Sequence, residues 1–196
     1  GETMSVFYAF LSRMRYISRW GLMRNTRSEN VMEHSAIVAM FAHALAVIHN
    51  KRGGSVNADR VGMIALFHET GEVITGDMPT PIKYFNPDIT AAYKAIEKES
   101  EGRLVSTLPE ELAAEVGDLV GGGDETERKL VKYADTLAAY VKCLEEVSQG
   151  NSEFAEAEKS TKRKLRAYNS PEVEYFMDKF VTPFGLSLDN LSAEIN

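Results

Sequence analysis

Between Asn30 and about residue 49, apolar side chains recur in alternating steps of three and four: Val38, Phe41, Leu45, Ile48. That spacing repeats one face of a helix and predicts a long amphipathic α-helix. The stripe begins one turn earlier with His34, which therefore points where the core points. Two further segments repeat the pattern. Val61, Ala65, His68 and Glu72 share a stripe in a helix expected from Asn57 to about residue 74. Val131, Ala134 or Asp135, Ala138 and Val141 share another, in a helix expected from Asp124 to about residue 148. Nothing alternates at period two, so no sheet is expected.

The rest of the chain reads as helices and breaks. A first helix is expected over about residues 5–18, with Phe7, Phe10, Leu11, Met14 and Ile17 at helical spacing. A basic connector, "SRWGLMRNTRSEN", follows. Asn30 with Glu33, and Asp124 with Glu127, have the spacing of a capping box. "TGDMPTPIKYFNP" reads as a loop, because three prolines and a glycine do not continue a helix. A charged helix over 88–108, a short one opened by Pro109, a hinge-like triple glycine at 121–123 and two or three helices after Gly150 complete the chain. No repeat and no long linker divides it. The expectation is an all-α fold, one compact helical bundle over residues 1–196. Its core would span about 28–148, and C-terminal helices within 152–192 would pack on it.

The net charge of -7 argues against a general nucleic-acid binder, which carries a broad basic surface. A small anionic ligand needs only a local basic pocket. Cys143 is the single cysteine, so no internal disulfide forms, and its helical setting makes it a packing residue. No run of 18 or more apolar residues appears, and "GETMSVFYAF" lacks the blocks of a signal peptide. No membrane association is expected, and the cytoplasm is the expected address.

The ionisable residues on the apolar stripes need a reason. Burying a carboxylate without a partner costs several kcal/mol. Two imidazoles, His34 and His68, and two carboxylates brought together from these helices make a site for a divalent ion, whose charge offsets the buried carboxylates. His68 and Glu69 are adjacent and diverge by roughly 100° on a helix, so the ion would sit at the helix's shoulder. Glu72, one turn on from His68, can stand over the ion as the base for a water that such an ion acidifies, rather than as a ligand. His43 and His49 lack acidic neighbours along the chain and read as structural. Arg19, Arg24 and Arg27 cluster just before the His34 helix, and the arginine fork matches phosphate geometry. Trp20, the only tryptophan, reads equally as a packing staple. The prolines of "GDMPTP" would preorganise Asp77 and Thr80 as the wall of a small-ligand site.

An H…HD…D order on an all-helical chain resembles the HD-domain metal-dependent phosphohydrolases. Here it reads "VMEHS", "LFHETGEV" and "VKYADTL". "ISRWGLMRNTRSENVMEHS" followed by "HETGEVITGDMPTPIKYF" is similar, more closely, to the bacterial 5'-deoxynucleotidases of that superfamily. The likeness continues through "YKAIEK", "YVKCLEE" and "MDKFVTPFGLSLDNL". It implies an HD-domain bundle with His34, His68, Glu69 and Asp135 holding one divalent metal ion (Co²⁺, Mn²⁺, Mg²⁺ or Zn²⁺), and with Glu72 activating water. It implies that Arg19 and Trp20 contact the nucleotide and help select deoxyribose, while Asp77, Met78, Pro79 and Thr80 line the nucleoside end. Glu69 and Asp135 would also face the substrate, a deoxynucleoside 5'-monophosphate that loses its phosphate. A homodimer is implied too, with "FMDKFVTPFGLSL" as core or interface. One departure stands out: the family's second pair is His-Asp, and here it is His68-Glu69. Two competing readings are a nucleotide-binding regulatory module with weak turnover because of Glu69, and an HD phosphohydrolase acting on a triphosphate or a guanosine alarmone. The absence of G-x-x-x-x-G-K-[ST] excludes a P-loop kinase or ATPase.

Overall fold

The structure, a computed structural model, describes residues 4–195. The outermost ends of the expected domain, 1–3 and 196, lie outside the described residues. Three helices carry the main core: α2 (Val31–Lys51), α3 (Ala58–Leu66) and α8 (Glu125–Ser148). They are the three segments in which the apolar stripes lie. Val38, Ala42, Leu45 and Ala46 from α2 meet Val61, Ile64 and Ala65 from α3 and Leu130, Ala134, Leu137 and Val141 from α8. Each large side chain buried there contributes about 1.5–3 kcal/mol. Their N-termini are capped as the spacing predicts. Asn30 accepts from the Glu33 N–H at 2.8 Å, and Asp124 and Glu127 form a complete reciprocal capping box. In length and mean hydropathy (1.7) α2 passes for a membrane span, yet half of its most apolar window is buried in the protein.

The other helices are α1 (Phe7–Leu11), α4 (Glu72–Thr75), α5 (Thr80–Lys83), α6 (Pro87–Val105), α7 (Glu110–Leu119), α9 (Ala155–Ala167), α10 (Pro171–Phe180) and α11 (Leu188–Ala193). Phe7, Leu11, Met14, Val31, Leu104 and Leu108 form a second cluster that joins α1 to α2 and α6. From α9 and α10, Leu165, Val173 and Phe176 enter the main core. The C-terminal stretch divides: Phe176 and Val181 are buried, while Phe180, Leu186, Leu188 and Leu191 are exposed.

Several expectations are corrected. The first helix is α-helical only over Phe7–Leu11 and tightens to a 3₁₀ turn over Ser12–Tyr16. A short sheet does occur: β1 (Ser18–Arg19) pairs antiparallel with β2 (Glu29–Asn30), Arg19 opposite Glu29. Two residues per strand are too few to leave a period-two signal. The loop with three prolines contains α5, because Pro79 precedes its first residue and Pro81 lies in its first turn, where no N–H is needed.

The helix expected from Asn57 to 74 stops at Leu66. Residues 67–71 turn by i→i+3 bonds instead, with His68 N–H to Ala65 C=O, Thr70 N–H to Phe67 C=O and Glu72 N–H to Glu69 C=O. The Thr70 hydroxyl also donates to Phe67 C=O at 2.6 Å. Gly71 permits this turn to press on α6, since a Cβ there would lie 3.0 Å from the Glu97 carbonyl oxygen. The triple glycine is a close turn. A Cβ on Gly122 would fall 1.6 Å from the Asp118 carbonyl oxygen, so no other residue fits unless the backbone moves.

Candidate metal centre and active site

His34 comes from the first turn of α2, His68 and Glu69 from the turn after α3, and Asp135 from the middle of α8. One donor atom from each lies within 4.8 Å of all the others. His34 Nε2 is 2.8 Å from Asp135 Oδ1. His68 Nε2 is 3.6 Å from the same oxygen and 2.8 Å from Glu69 Oε1. Although those carboxylates are near, His68 Nε2 is buried and makes no hydrogen bond. Its other ring nitrogen, Nδ1, donates to the Ala65 carbonyl at 2.5 Å. With Nδ1–H engaged, the neutral imidazole carries its lone pair on Nε2, the arrangement of a metal-ligating histidine whose far nitrogen is held by a carbonyl. Two nitrogens and two carboxylates, converging and partly unsatisfied, fit a divalent cation.

The electrostatics agree with that fit. Burial alone would raise the Asp135 carboxyl, but the hydrogen bond from His34 and the charge of the nearby His68 outweigh it and hold Asp135 well below its usual range. Burial would lower His68, but Glu69 and Asp135 raise it well above. The helix break after Leu66 is what makes the convergence possible. The ordinary helical rotation between neighbours no longer applies to His68 and Glu69, and the extra methylene of Glu69 still brings its oxygen into the group. Glu72, the first residue of α4, is 4 % exposed, and its Oε2 has no hydrogen-bond partner. Burial first, then the Glu69 carboxyl, push Glu72 up to about 10.

Arg19 and Trp20 connect to this group through Glu29, whose Oε1 lies 3.9 Å from His34 Nδ1. The Arg19 guanidinium is mostly buried; burial lowers its pKa, but Glu29, Asp135, Glu69 and Asp77 outweigh that and raise it. Asp77 is raised by burial, with Arg19 opposing, so the loop after α4 brings a carboxylate within electrostatic reach of the same guanidinium. Trp20 holds a positive φ of 58°, uncommon for a bulky side chain. Its indole N–H donates to Glu29 Oε2 at 3.0 Å, and its ring packs on Phe154 at 5.4 Å between centroids. The other connector arginines do not join. Arg24 is exposed and pairs with Glu153, and Arg27 is exposed beside Glu33. Of the three connector arginines, only Arg19 supports the anionic-substrate reading.

A cavity of about 320 Å³ opens on the other members of the cluster. His68, Glu69, Glu72 and Asp135 line it together with Lys83, Glu97, Arg128 and Lys132. Of the residues expected to meet the substrate, Arg19, Trp20, Asp77, Met78, Pro79 and Thr80 do not line it. Met78 and Pro79 are half-buried, and Thr80 is exposed at the start of α5. His43 and His49 stay away from the site, but each does meet an acid, Asp59 at 3.2 Å and Glu172 at 2.9 Å. Those partners come from other elements, which the local reading along α2 misses. Cys143 is buried, and burial pushes its thiol up to about 12, as suits a packing residue.

Two residues went unnoticed in the sequence. Glu29 accepts from both Arg19 and Trp20. Glu146 accepts from the Thr26 and Arg27 backbone N–H groups, Lys142 and Asn151. Glu29 lies in a polar connector, where no periodicity marks it. Glu146 carries a signal that could have been read, an acid four residues after Lys142 on a helix.

A family model described as 5'-deoxynucleotidase YfbR-like matches residues 6–184. The chain is 51% identical over 195 residues to the 5'-deoxynucleotidase yfbR of Photorhabdus temperata, covering 98% of this chain and 99% of that protein. It is 50% identical over 194 residues to a 5'-deoxynucleotidase of Yersinia pestis (strain Pestoides F), covering 97% and 98%. Among solved structures, an HD-domain phosphohydrolase from Listeria innocua superposes with a TM-score of 0.78 at 22% identity, over 96% of each chain. A cyanophage S-2L HD phosphohydrolase, described as bound to dA and one catalytic Zn²⁺ ion, superposes at 0.59 with 22% identity, over 92% of this chain and 96% of that one. The helical architecture is thus that of the HD-domain phosphohydrolases, and the chain belongs to the 5'-deoxynucleotidase YfbR-like family.

Proposed function

We propose that this chain is a metal-dependent phosphomonoesterase that removes the 5'-phosphate of deoxyribonucleoside 5'-monophosphates. The observation that carries the reading is the convergence of His34, His68, Glu69 and Asp135 beside a buried Glu72, in a chain about half identical to 5'-deoxynucleotidases over nearly its whole length. The four residues would hold one divalent ion, and the two imidazoles favour a transition metal over Mg²⁺. When bound, such an ion supplies positive charge that polarises the phosphoryl group, acidifies water and offsets the Glu69 charge that helps keep Glu72 protonated.

Glu72, ionised, takes a proton from the water that attacks phosphorus. The P–O5' bond breaks, and the leaving oxygen gains a proton from solvent to give the deoxynucleoside as an alcohol. Arg19 neutralises and orients the phosphate end. Trp20 closes on the sugar and disfavours a 2'-hydroxyl, while Asp77, Met78, Pro79 and Thr80 form the nucleoside wall. The presence of Glu69 in the cluster supports turnover over a regulatory role. The chain works as one HD domain, in the cytoplasm, as a homodimer. A panel of deoxy- and ribonucleoside 5'-monophosphates tests the activity, with Co²⁺, Mn²⁺, Mg²⁺ or Zn²⁺ returned to metal-stripped protein. Phosphate release from dAMP well above that from AMP is the expected result, and no release with any metal overturns the reading.

A further inference from the structure

Arg19 and Trp20 do not hold their own geometry. β1 and β2 pair so that Arg19 lies opposite Glu29, and Glu29 Oε2 then accepts from Arg19 Nε at 3.3 Å and from Trp20 Nε1 at 3.0 Å. One oxygen thus receives two side-chain donors that belong to consecutive residues. Consecutive residues of an extended strand point to opposite faces. The positive φ of Trp20 is what departs from that alternation and brings its indole to the same acceptor as Arg19. The other carboxylate oxygen, Oε1, lies 3.9 Å from His34 Nδ1. That nitrogen is buried and has no hydrogen bond. Glu29 itself is mostly buried, with 13% of its side chain exposed.

We propose that Glu29 is a positioning residue that sets the Trp20 indole and the Arg19 guanidinium as one unit against the metal cluster. A carboxylate suits the place because it only accepts, and two donors on one oxygen need its full charge. An amide in the same shape carries no charge and turns either a weaker acceptor or a donor toward them. Trp20 then loses the bond that offsets its unfavourable backbone conformation. The consequence for selection between deoxyribose and ribose rests on the proposed nucleotidase reading, whereas the positioning itself does not.

Trp20 is the only tryptophan, so its fluorescence reports this unit directly. The experiment compares wild type, Glu29→Gln and Glu29→Asp as full chains, with circular dichroism as the check on folding. Without substrate, Glu29→Gln is expected to shift the emission maximum and raise the acrylamide quenching constant. Glu29→Asp keeps the charge at shorter reach and is expected to lie between Glu29→Gln and wild type. With substrate, the ratio of kcat/KM for dAMP to that for AMP is expected to fall roughly 10-fold or more, the scale of one charge-assisted hydrogen bond. Emission and quenching in a folded Glu29→Gln identical to wild type overturn the proposal. Changed emission with an unchanged dAMP-to-AMP ratio upholds Glu29 as the residue that sets Trp20 and sinks only the sugar-selection reading.

Discussion

Replacing Glu146 by alanine removes the shared acceptor of four donors at once. Its two oxygens accept from Lys142 Nζ at 2.5 Å, Thr26 N–H at 2.9 Å, Arg27 N–H at 3.1 Å and Asn151 Nδ2 at 2.8 Å. Lys142 and Glu146 are only 6% and 2% exposed, so the alanine variant leaves a buried ammonium without its charge partner, hydrogen-bonded only to the Arg27 carbonyl. Breaking a buried pair in this way costs about 3–5 kcal/mol, which for a domain of this size is a fall in Tm of roughly 6–20 °C. The pH dependence has a definite sign. Burial would raise the Glu146 carboxyl, but Lys142, Asn151 and the two backbone N–H groups outweigh it and hold it below its usual range. A depressed carboxylate stabilises the fold above its unfolded pKa of about 4.3 and stops doing so as pH falls through the folded value. The gap between wild type and Glu146→Gln is therefore full at pH 7 and shrinks in acid. Thermal unfolding followed by circular dichroism between pH 3.5 and 8 checks both points. A Glu146→Ala Tm within about 2 °C of wild type at pH 7, or a gap that widens in acid, refutes the reasoning. The functional echo is a raised KM, because Lys142 also lies over Phe154, on which Trp20 packs.

Other outcomes follow from the site. His34→Ala and Asp135→Ala each abolish metal binding and activity, and normal binding to stripped protein by calorimetry would remove the cluster as a metal site. Glu72→Gln keeps the metal and lowers kcat by roughly 10²- to 10⁴-fold. Glu69→Gln instead weakens metal affinity, so activity returns at high metal, and Glu69→Asp is tolerated; metal lost in Glu72→Gln but kept in Glu69→Gln means the two roles are exchanged. Gly122→Ala sets a Cβ against the Asp118 carbonyl and destabilises by roughly 1–3 kcal/mol in denaturant unfolding, whereas an unchanged midpoint shows that the turn relaxes freely.

What periodicity encodes was readable along the chain. The stripes of α2, α3 and α8 predicted both the core and the inward direction of His34, because side chains three and four apart share a face wherever the helix ends up. Asn30 and Asp124 announced their helix starts because a cap is made within four residues. Together with the H…HD…D order, these local rules were enough to nominate all four members of the cluster. Other features depend on partners far apart in sequence. His34 and Asp135 are 101 residues apart, and Arg27 and Glu146 are 119 apart; no local spacing records such a meeting. The break of α3 at Leu66 went unseen because His68 and Glu72 continue the helical stripe, while the turn between them is stabilised by Thr70 and by Gly71 against α6. The connector shows the division most plainly. Arg19, Arg24 and Arg27 are chemically equivalent in the sequence, and only the pairing of β1 with β2 turns Arg19 toward the site and leaves the other two in solvent, since a side chain's direction there is set by the strand across from it.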